Sequence, residues 1–270
     1  MADTTPEEPR LSGVVPLYKN PEPLNRQQHK KFGLKTPKKP YAFLKDAHFV
    51  PAVAGEFAFA AGSYPVVFVG DQRMPVIVMG LHHGQNVFVN DDGTFDTEHM
   101  IPAFVRRYPF VSAKNGPDQP STFCVDFGAE VVTDKNPDHP FFDDEGEPTE
   151  ITQQAIDYVS AFEADSQSTE IFVKRLIELD LLELKDISVA DRQTPDQQTK
   201  IAEYYGINET KLRELPIETL EDFRKDGWMS AIYAHIISLG RWDRILQRAS
   251  NLQIKAEAEA EAKAKKKTKK

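Results

Sequence analysis

Two pairs of potential metal ligands frame a short apolar run in the stretch LHHGQNVFVNDDGTF, residues 81–95. His82 and His83 precede the run, and Asp91 and Asp92 follow it. Two imidazoles and one carboxylate can hold a metal with positions left open for substrate. The spacing is poor, because adjacent side chains of an extended chain point to opposite faces and a strand of about five residues spans roughly 17 Å. We therefore predict turns at HHGQ and DDGT around a strand NVFVN, and we expect no metal and no cofactor.

A second candidate site lies at the end of a predicted helix, where Arg106, Arg107 and Tyr108 are consecutive. Paired guanidinium groups bind carboxylate or phosphate, and an aromatic ring offers a stacking face. The structural alternative is that these arginines pair with aspartates of the same chain. The aspartates considered are Asp91, Asp92, Asp96 and Asp126.

The search for a nucleophile gives little. Cys124 lies in an apolar run, where a thiol is usually buried and inert, and no histidine is placed beside it. The sequence has no GxSxG elbow, no phosphate-binding P-loop and no GxGxxG fingerprint. Whether the protein is an enzyme stays open, and no residue is assigned a catalytic role.

The charge of the chain limits its partners. The 270 residues carry 42 Asp and Glu against 33 Lys and Arg, for a net charge of -9. An acidic surface repels nucleic acid, so none is expected as a partner apart from weak contacts of the basic tail at residues 255–270. The N-terminus lacks the pattern of a secretory signal, and no apolar run approaches the roughly 18 residues of a membrane span. These features, with a single cysteine, predict a cytoplasmic protein.

The first half of the chain has the pattern of an antiparallel sheet. The β-branched runs at 66–69 and 75–81 flank the polar turn GDQR, which predicts a hairpin. Residues 86–90 and 123–127 are predicted as further strands, and residues 97–107 as a short helix. The sequence does not decide whether residues 48–61 form a strand or a helix.

From residue 151 the apolar spacing changes to the helical period. Asn208 is expected to cap a short helix, and Gly240 to mark a break before a final one. The predicted class is α+β, with an antiparallel sheet in the N-terminal half and a mainly helical C-terminal half. We expect a disordered N-terminus at 1–13, a folded region at 14–250, β-rich to residue 150 and helical from 151, and a mobile Ala/Glu/Lys tail at 251–270.

Several spaced blocks of the chain resemble the bacterial SapC family. The most specific is GLHHGQNVFVNDDGTF followed at once by IPAFVRRYPF, and the other blocks are PLNRQQHKKFGLK, YPVVFV, FCVDF, FFDDEGEPTE and GWMSAIYAHIISLGRWDRILQR. The resemblance runs from about residue 14 to 248. It places the family motif on Gly80, Gly84, Asn86, Phe88, Val89, Asp91, Gly93, Pro102, Phe104, Arg106, Arg107, Tyr108, Pro109 and Phe110, and not on the histidines.

The family takes its name from association with a bacterial surface layer, so the resemblance implies a role at the cell envelope. The leading hypothesis is a non-enzymatic binding or accessory factor for an envelope or surface-layer protein or peptide. Its expected ligand contacts are Arg106, Arg107, Tyr108, Asn86 and Asp91. One alternative is an enzyme that modifies a peptide or envelope metabolite, using His82, Asp91 and a metal; another is a structural surface-layer subunit.

Overall fold

The computed structural model describes residues 16–113, 121–190 and 198–267. The described chain divides into two compact units: unit 1 takes its residues from 1–40 and 103–167, and unit 2 from 41–102 and 168–270. Each unit therefore contains both an early and a later part of the chain. The predicted disordered segment at 1–13 lies outside the described residues.

The strands are short in the first part of the chain and long in one later hairpin. In chain order they are β1 (Pro21–Pro23), β2 (Gly33–Leu34), β3 (Phe49–Pro51), β4 (Val66–Val69), β5 (Met74–Val78), β6 (Phe110–Ala113), β7 (Thr122–Asp126), β8 (Val132–Thr133), β9 (His139–Pro140), β10 (Leu182–Ala190) and β11 (Gln198–Ile207). All pairings between them are antiparallel.

The longer helices lie in the second half. They are α1 (Phe57–Ala60), α2 (Ala103–Arg106), α3 (Glu150–Glu178), α4 (Glu209–Arg213), α5 (Ile217–Lys225), α6 (Trp228–Ser238) and α7 (Trp242–Lys267), with 3-10 turns at Ala42–Leu44, Ala54–Glu56 and Leu239–Arg241. Antiparallel sheets in the first half and mainly helices in the second confirm the predicted α+β class.

Unit 1 is built on two three-stranded sheets, with strand orders β1-β7-β6 and β8-β2-β9. A buried carboxylate joins the N-terminal segment to β7. The Asp126 side chain is fully buried and accepts hydrogen bonds from the backbone N–H groups of Lys19, Asn20 and Gly128 at 3.0, 2.7 and 3.0 Å. A buried carboxylate needs such donors, because it has left the water that would otherwise solvate it.

Unit 2 contains a five-stranded sheet with strand order β10-β11-β4-β5-β3. The predicted hairpin is confirmed: β4 pairs with β5 from Val66 opposite Ile77 to Val69 opposite Met74. The GDQR turn closes it, with Gly70 at φ 70°. Residues 48–61, left open from the sequence, form strand β3, a 3-10 turn and helix α1 in succession.

The junction between β11 and β4 depends on a buried histidine. These strands share one registered pair, Tyr205 opposite Phe68. Beside it, His235 of α6 accepts a hydrogen bond from Ile207 N–H at Nε2 (3.1 Å), so its proton is on Nδ1, which donates to the carbonyl of Val66 (2.7 Å). The imidazole thus connects a backbone N–H of β11 to a backbone carbonyl of β4, where the two strands are too far apart to pair directly.

Residues 81–95, which we call the opening stretch, differ from their prediction. Residues 81–84 and 91–93 are turns, with Gly84 and Gly93 at φ 84° and 81°, but the predicted strand NVFVN does not form. Val89 makes only an isolated bridge to Phe95. Turn hydrogen bonds and the Asn86 side chain satisfy this backbone instead, with Asn86 Oδ1 accepting from the Phe88 N–H at 2.9 Å.

An arginine of the last helix fixes this stretch. Arg248 donates to the carbonyl of Val87 (3.2 Å) and to the carboxylate of Asp96 (2.6 Å), and its guanidinium carbon lies 4.9 Å from the centre of the Phe88 ring. His99 Nε2 is 3.0 Å from the same guanidinium. The buried apolar side chains at 87–89 are therefore held by contacts from a segment about 160 residues later.

Four further features bear on the sequence predictions. The helix predicted at 97–107 is reduced to the single turn α2, and the hairpin β10–β11 interrupts the half that was predicted to be helical. Asn208 does cap α4, since its Oδ1 accepts from Lys211 N–H at 3.0 Å. The tail is helical as far as Lys267, as part of α7.

The buried imidazole of His235 gives a pH prediction. Burial lowers the pKa of His235 from 6.5 to about 4. As the pH falls below 6.5, the imidazole of His235 therefore becomes protonated in the unfolded chain before it does in the folded protein. The free energy of unfolding that is present above pH 6.5 decreases as the pH approaches 4. This loss is on the order of 3 kcal/mol. We expect H235Q, which keeps a donor and an acceptor but does not titrate, to lose less stability than wild type over this window. Urea unfolding at several pH values measures the difference, and equal losses would contradict the assignment.

The contacts of Arg248 give a second prediction. The variant R248M keeps the aliphatic stem but leaves the partly buried Asp96 carboxylate and the Val87 carbonyl without this donor. We expect unfolding to become easier by about 1–3 kcal/mol and amide exchange to accelerate in residues 81–96. The matched control is R244M, one turn earlier on α7. Protection of residues 81–96 that is equal in the two variants would show that Arg248 does not hold the stretch.

Candidate functional site

The five predicted ligand contacts fall in different parts of the molecule. Arg106, Arg107 and Tyr108 belong to unit 1, whereas Asn86 and Asp91 belong to unit 2. The two groups are therefore described separately. We call the consecutive residues 106–108 the arginine corner.

The two neighbouring arginines of this corner have different environments. Successive residues of a helix are rotated by about 100°, so two adjacent side chains at the end of α2 cannot share one face. Arg106 is exposed, while Arg107 is only 7% exposed. Of the two guanidinium groups, only that of Arg106 is therefore exposed.

Arg107 is enclosed by aromatic rings of unit 1. Its guanidinium carbon lies 4.2, 4.5 and 5.6 Å from the ring centres of Phe104, Phe162 and Tyr18. Its Nε atom is buried without a hydrogen-bond partner. Burial lowers the pKa of Arg107, and the Tyr18 hydroxyl and the charge of Glu163 oppose this effect. The rings stabilise the cation through their π faces.

Arg106 of the corner is exposed, and two partly buried tyrosines, Tyr108 and Tyr158, lie near it. The Arg106 guanidinium carbon is 5.4 Å from the centre of the Tyr158 ring, and the Tyr158 hydroxyl donates to the Ala103 carbonyl at 3.3 Å. Tyr108 is partly buried, and burial, followed by the charges of Asp126 and Glu130, raises its pKa to about 12. Its phenol is therefore neutral at physiological pH, when it can donate a hydrogen bond.

The aspartates considered as partners for these arginines are engaged elsewhere. Asp91 pairs with Lys255 and Asp96 with Arg248, both at 2.6 Å. Asp92 accepts a hydrogen bond from the Thr94 N–H at 2.9 Å, and Asp126 accepts the backbone hydrogen bonds described above. Neither Arg106 nor Arg107 takes part in an ion pair among the described residues. The corner therefore presents positive charge that is not neutralised by a described carboxylate within 4 Å.

Asn86 and Asp91 make contacts within unit 2. Asn86 is 5% exposed and donates to the carbonyls of Leu44 and Ala47 at 3.2 and 3.1 Å. Asp91 is exposed, and its hydrogen bond with Lys255 holds the pKa of the carboxylate below its usual value. Their role as ligand contacts stays a prediction, and both already have protein partners.

The histidines of the opening stretch are exposed. His82 Nδ1 is 3.0 Å from the carbonyl of His83, and the His83 ring centre is 6.2 Å from that of His48. Burial, with smaller effects of His83 and His82, lowers the pKa of His48. Among the described residues, no group of three or more His, Cys, Asp or Glu side chains is placed to hold a metal ion.

Sequence reasoning did not find an apolar cavity of about 240 Å³ in unit 2. Alternate residues of β4 and β5, including Val67, Val69 and Val76, form one wall, and Tyr204 and Trp242 line it further along the chain. The period-two pattern of VVFVGDQRMPVIV was the available signal for that wall. Residues 201–204 also line the cavity and lie on β11. The sequence prediction missed this strand because it assigned the second half of the chain to helices.

Cys124 is buried, and burial raises the pKa of its thiol to about 11. At physiological pH it is therefore a thiol and not a thiolate, which agrees with the structural role expected from its apolar neighbours. Within the part of the chain that the structure describes, no helix combines the length and the apolar character needed to cross a membrane.

Comparison with known proteins gives one match. The model of the SapC family matches residues 24–245, which includes the arginine corner, the opening stretch and the start of α7. No curated protein and no solved structure matches the chain. Since the match covers most of the sequence, the chain belongs to the SapC family.

Proposed function

We propose that this SapC-family protein is a non-enzymatic binding or accessory factor for a component of the bacterial surface layer or cell envelope. In this proposal the arginine corner recognises an anionic group, a carboxylate or phosphate, of that component. The link to the envelope rests on the family. The observation that supports the site is the enclosed guanidinium of Arg107, which has aromatic neighbours and forms no ion pair with a described carboxylate within 4 Å.

The electrostatics of Arg107 favour a ligand of opposite charge. Moving an ammonium- or guanidinium-sized ion out of water costs several kcal/mol in a protein unless it gains partners. Cation–π contacts return a part of this cost, on the order of 1–2 kcal/mol. A bound anion would supply the remainder through charge-assisted hydrogen bonds. Binding sites often contain groups that reduce the stability of the free protein and become favourable when a ligand binds.

Arg106 provides the accessible contact of the same corner. It is exposed and lies over the Tyr158 ring, so the planar guanidinium is oriented before any ligand arrives. Preorganised groups lose less side-chain entropy on binding. The surrounding chain is acidic, with net charge -9, so a local positive corner also selects against neutral and cationic partners.

The first test uses R106A. Loss of one charge-assisted hydrogen bond of about 1.5–3 kcal/mol should weaken binding roughly 10- to 100-fold. Binding is measured by co-sedimentation of the full-length protein with isolated envelope material, at several salt concentrations. Exposed substitutions of this kind change stability by about 0.5 kcal/mol or less, so the variant should remain folded.

The control for R106A is R26A, which removes another exposed arginine of unit 1, ion-paired with Glu147 at 3.2 Å. R26A should bind as wild type does. The proposed site is wrong if R106A and R26A bind equally well. The proposed function itself is wrong if the wild-type protein does not sediment with envelope material at low salt.

The second test separates a recognition role of Arg107 from a structural one. The variant R107M keeps an apolar stem of similar length among the three rings but removes the buried charge. We expect the free energy of unfolding to stay equal or to rise by about 1 kcal/mol, because replacing buried charge by an apolar group is often neutral or stabilising. Binding to envelope material should fall together with this change. Clear destabilisation in thermal and urea unfolding would assign Arg107 to the structure alone.

A further inference from the structure

The strand β10 ends the five-stranded sheet of unit 2 and has one free edge. It pairs with β11 over nine registered residue pairs, from Leu182 opposite Ile207 to Ala190 opposite Gln198. In the described part of the chain, no strand pairs with its other edge. Such an edge presents a row of backbone N–H and C=O groups that can pair with another strand.

The side chains along this edge combine an exposed apolar group with two opposite charges. Leu184 is 53% exposed. Glu183 and Lys185 flank it and form an ion pair at 3.0 Å within the strand. Because side chains alternate along a strand, these two charges share one face and Leu184 points to the other.

We propose that β10 pairs antiparallel with β10 of a second copy of this chain, with Leu184 opposite Leu184 of that copy. A twofold axis perpendicular to the sheet relates the two strands, so each residue meets one on the same face. Glu183 then lies opposite Lys185 of the other copy, and Lys185 lies opposite its Glu183. One register thus covers the exposed leucine and forms two complementary charge pairs.

The neighbouring symmetric registers are less favourable. Registers centred on residues 183, 185 or 186 place Glu183, Lys185 or Asp186 directly opposite its own copy, and like charges in this position are destabilising. A register centred on Ile187 avoids this repulsion but forms no opposite-charge pair. The sequence of β10 therefore favours the register centred on Leu184.

Charged side chains and bulges usually protect an edge strand from pairing. Here the irregularity between β10 and β11 lies between Ile187 and Ser188, outside the five residues 182–186 that the proposed register uses. The charges complement each other across the axis. A ladder this short predicts a reversible dimer whose population depends on concentration, not an obligate one.

A charge exchange tests the proposal on the full-length chain. The variant K185E places Glu opposite Glu183 of the other copy at both symmetric positions, and E183K/K185E restores both complementary pairs in reverse. By analytical ultracentrifugation, wild type should show a concentration-dependent dimer. We expect K185E to weaken dimerisation by at least about tenfold, since two attractive pairs become repulsive, and the double variant to recover most of this loss.

The matched control is K225E, the same charge change at an exposed lysine of α5 that is ion-paired with Glu221 at 3.5 Å. It should dimerise as wild type does, and circular dichroism checks that every variant is folded. A wild type that is monomeric at all concentrations overturns the proposal. So does a dimer that responds equally to K185E and K225E, or one that the double variant does not recover. Binding at the arginine corner of unit 1 is a separate measurement, so the two proposals can fail independently.

Discussion

The sheet of unit 2 depends on a histidine that must stay neutral. Where β11 and β4 separate after one registered pair, His235 connects Ile207 N–H to the Val66 carbonyl, and the Ser238 hydroxyl accepts from the Val66 N–H at 2.9 Å. Two side chains of α6 thus satisfy both backbone groups of one strand residue. A residue with a side chain at Gly206 would come within 3.3 Å of the imidazole. The hairpin β10–β11, the hairpin β4–β5 and α6 are joined at this point.

The sequence allowed the local features of this arrangement to be predicted, and not the distant ones. The hairpin β4–β5 follows from alternation around a polar turn, and the cap at Asn208 from the residue type before a helical segment. The strand NVFVN was wrong because three consecutive buried apolar residues imitate a strand. The Phe88 ring packs against Tyr64, His99 and Arg248, and no local pattern could indicate contacts with residues so distant in the sequence. The hairpin β10–β11 was missed because the helical interpretation was extended over the whole region from residue 151.

The arginine corner shows the same limit at the candidate site. The residue types suggested anion recognition, and the helix end was nearly correct, since α2 ends at Arg106. The sequence did not show that only one arginine reaches the surface. The enclosure of Arg107 is formed by Tyr18, Phe104 and Phe162, which come from three separate segments of unit 1. Burial by rings that are distant in the sequence changes the free energy of the charged side chain. No periodic pattern in the sequence indicates such burial.

Two basic side chains of helix α7 form ion pairs in and next to the opening stretch. Arg248 and Lys255 are seven residues apart, two turns of α7, so they lie on one face of the helix. Arg248 pairs with Asp96 and Lys255 with Asp91, so one helical face contacts both ends of the DDGTFD turn. Carboxylates that could have bound a metal are thereby neutralised by cations of the same chain. A ligand that used Asp91 would have to displace Lys255, whereas one that used Arg106 would displace no protein partner among the described ion pairs.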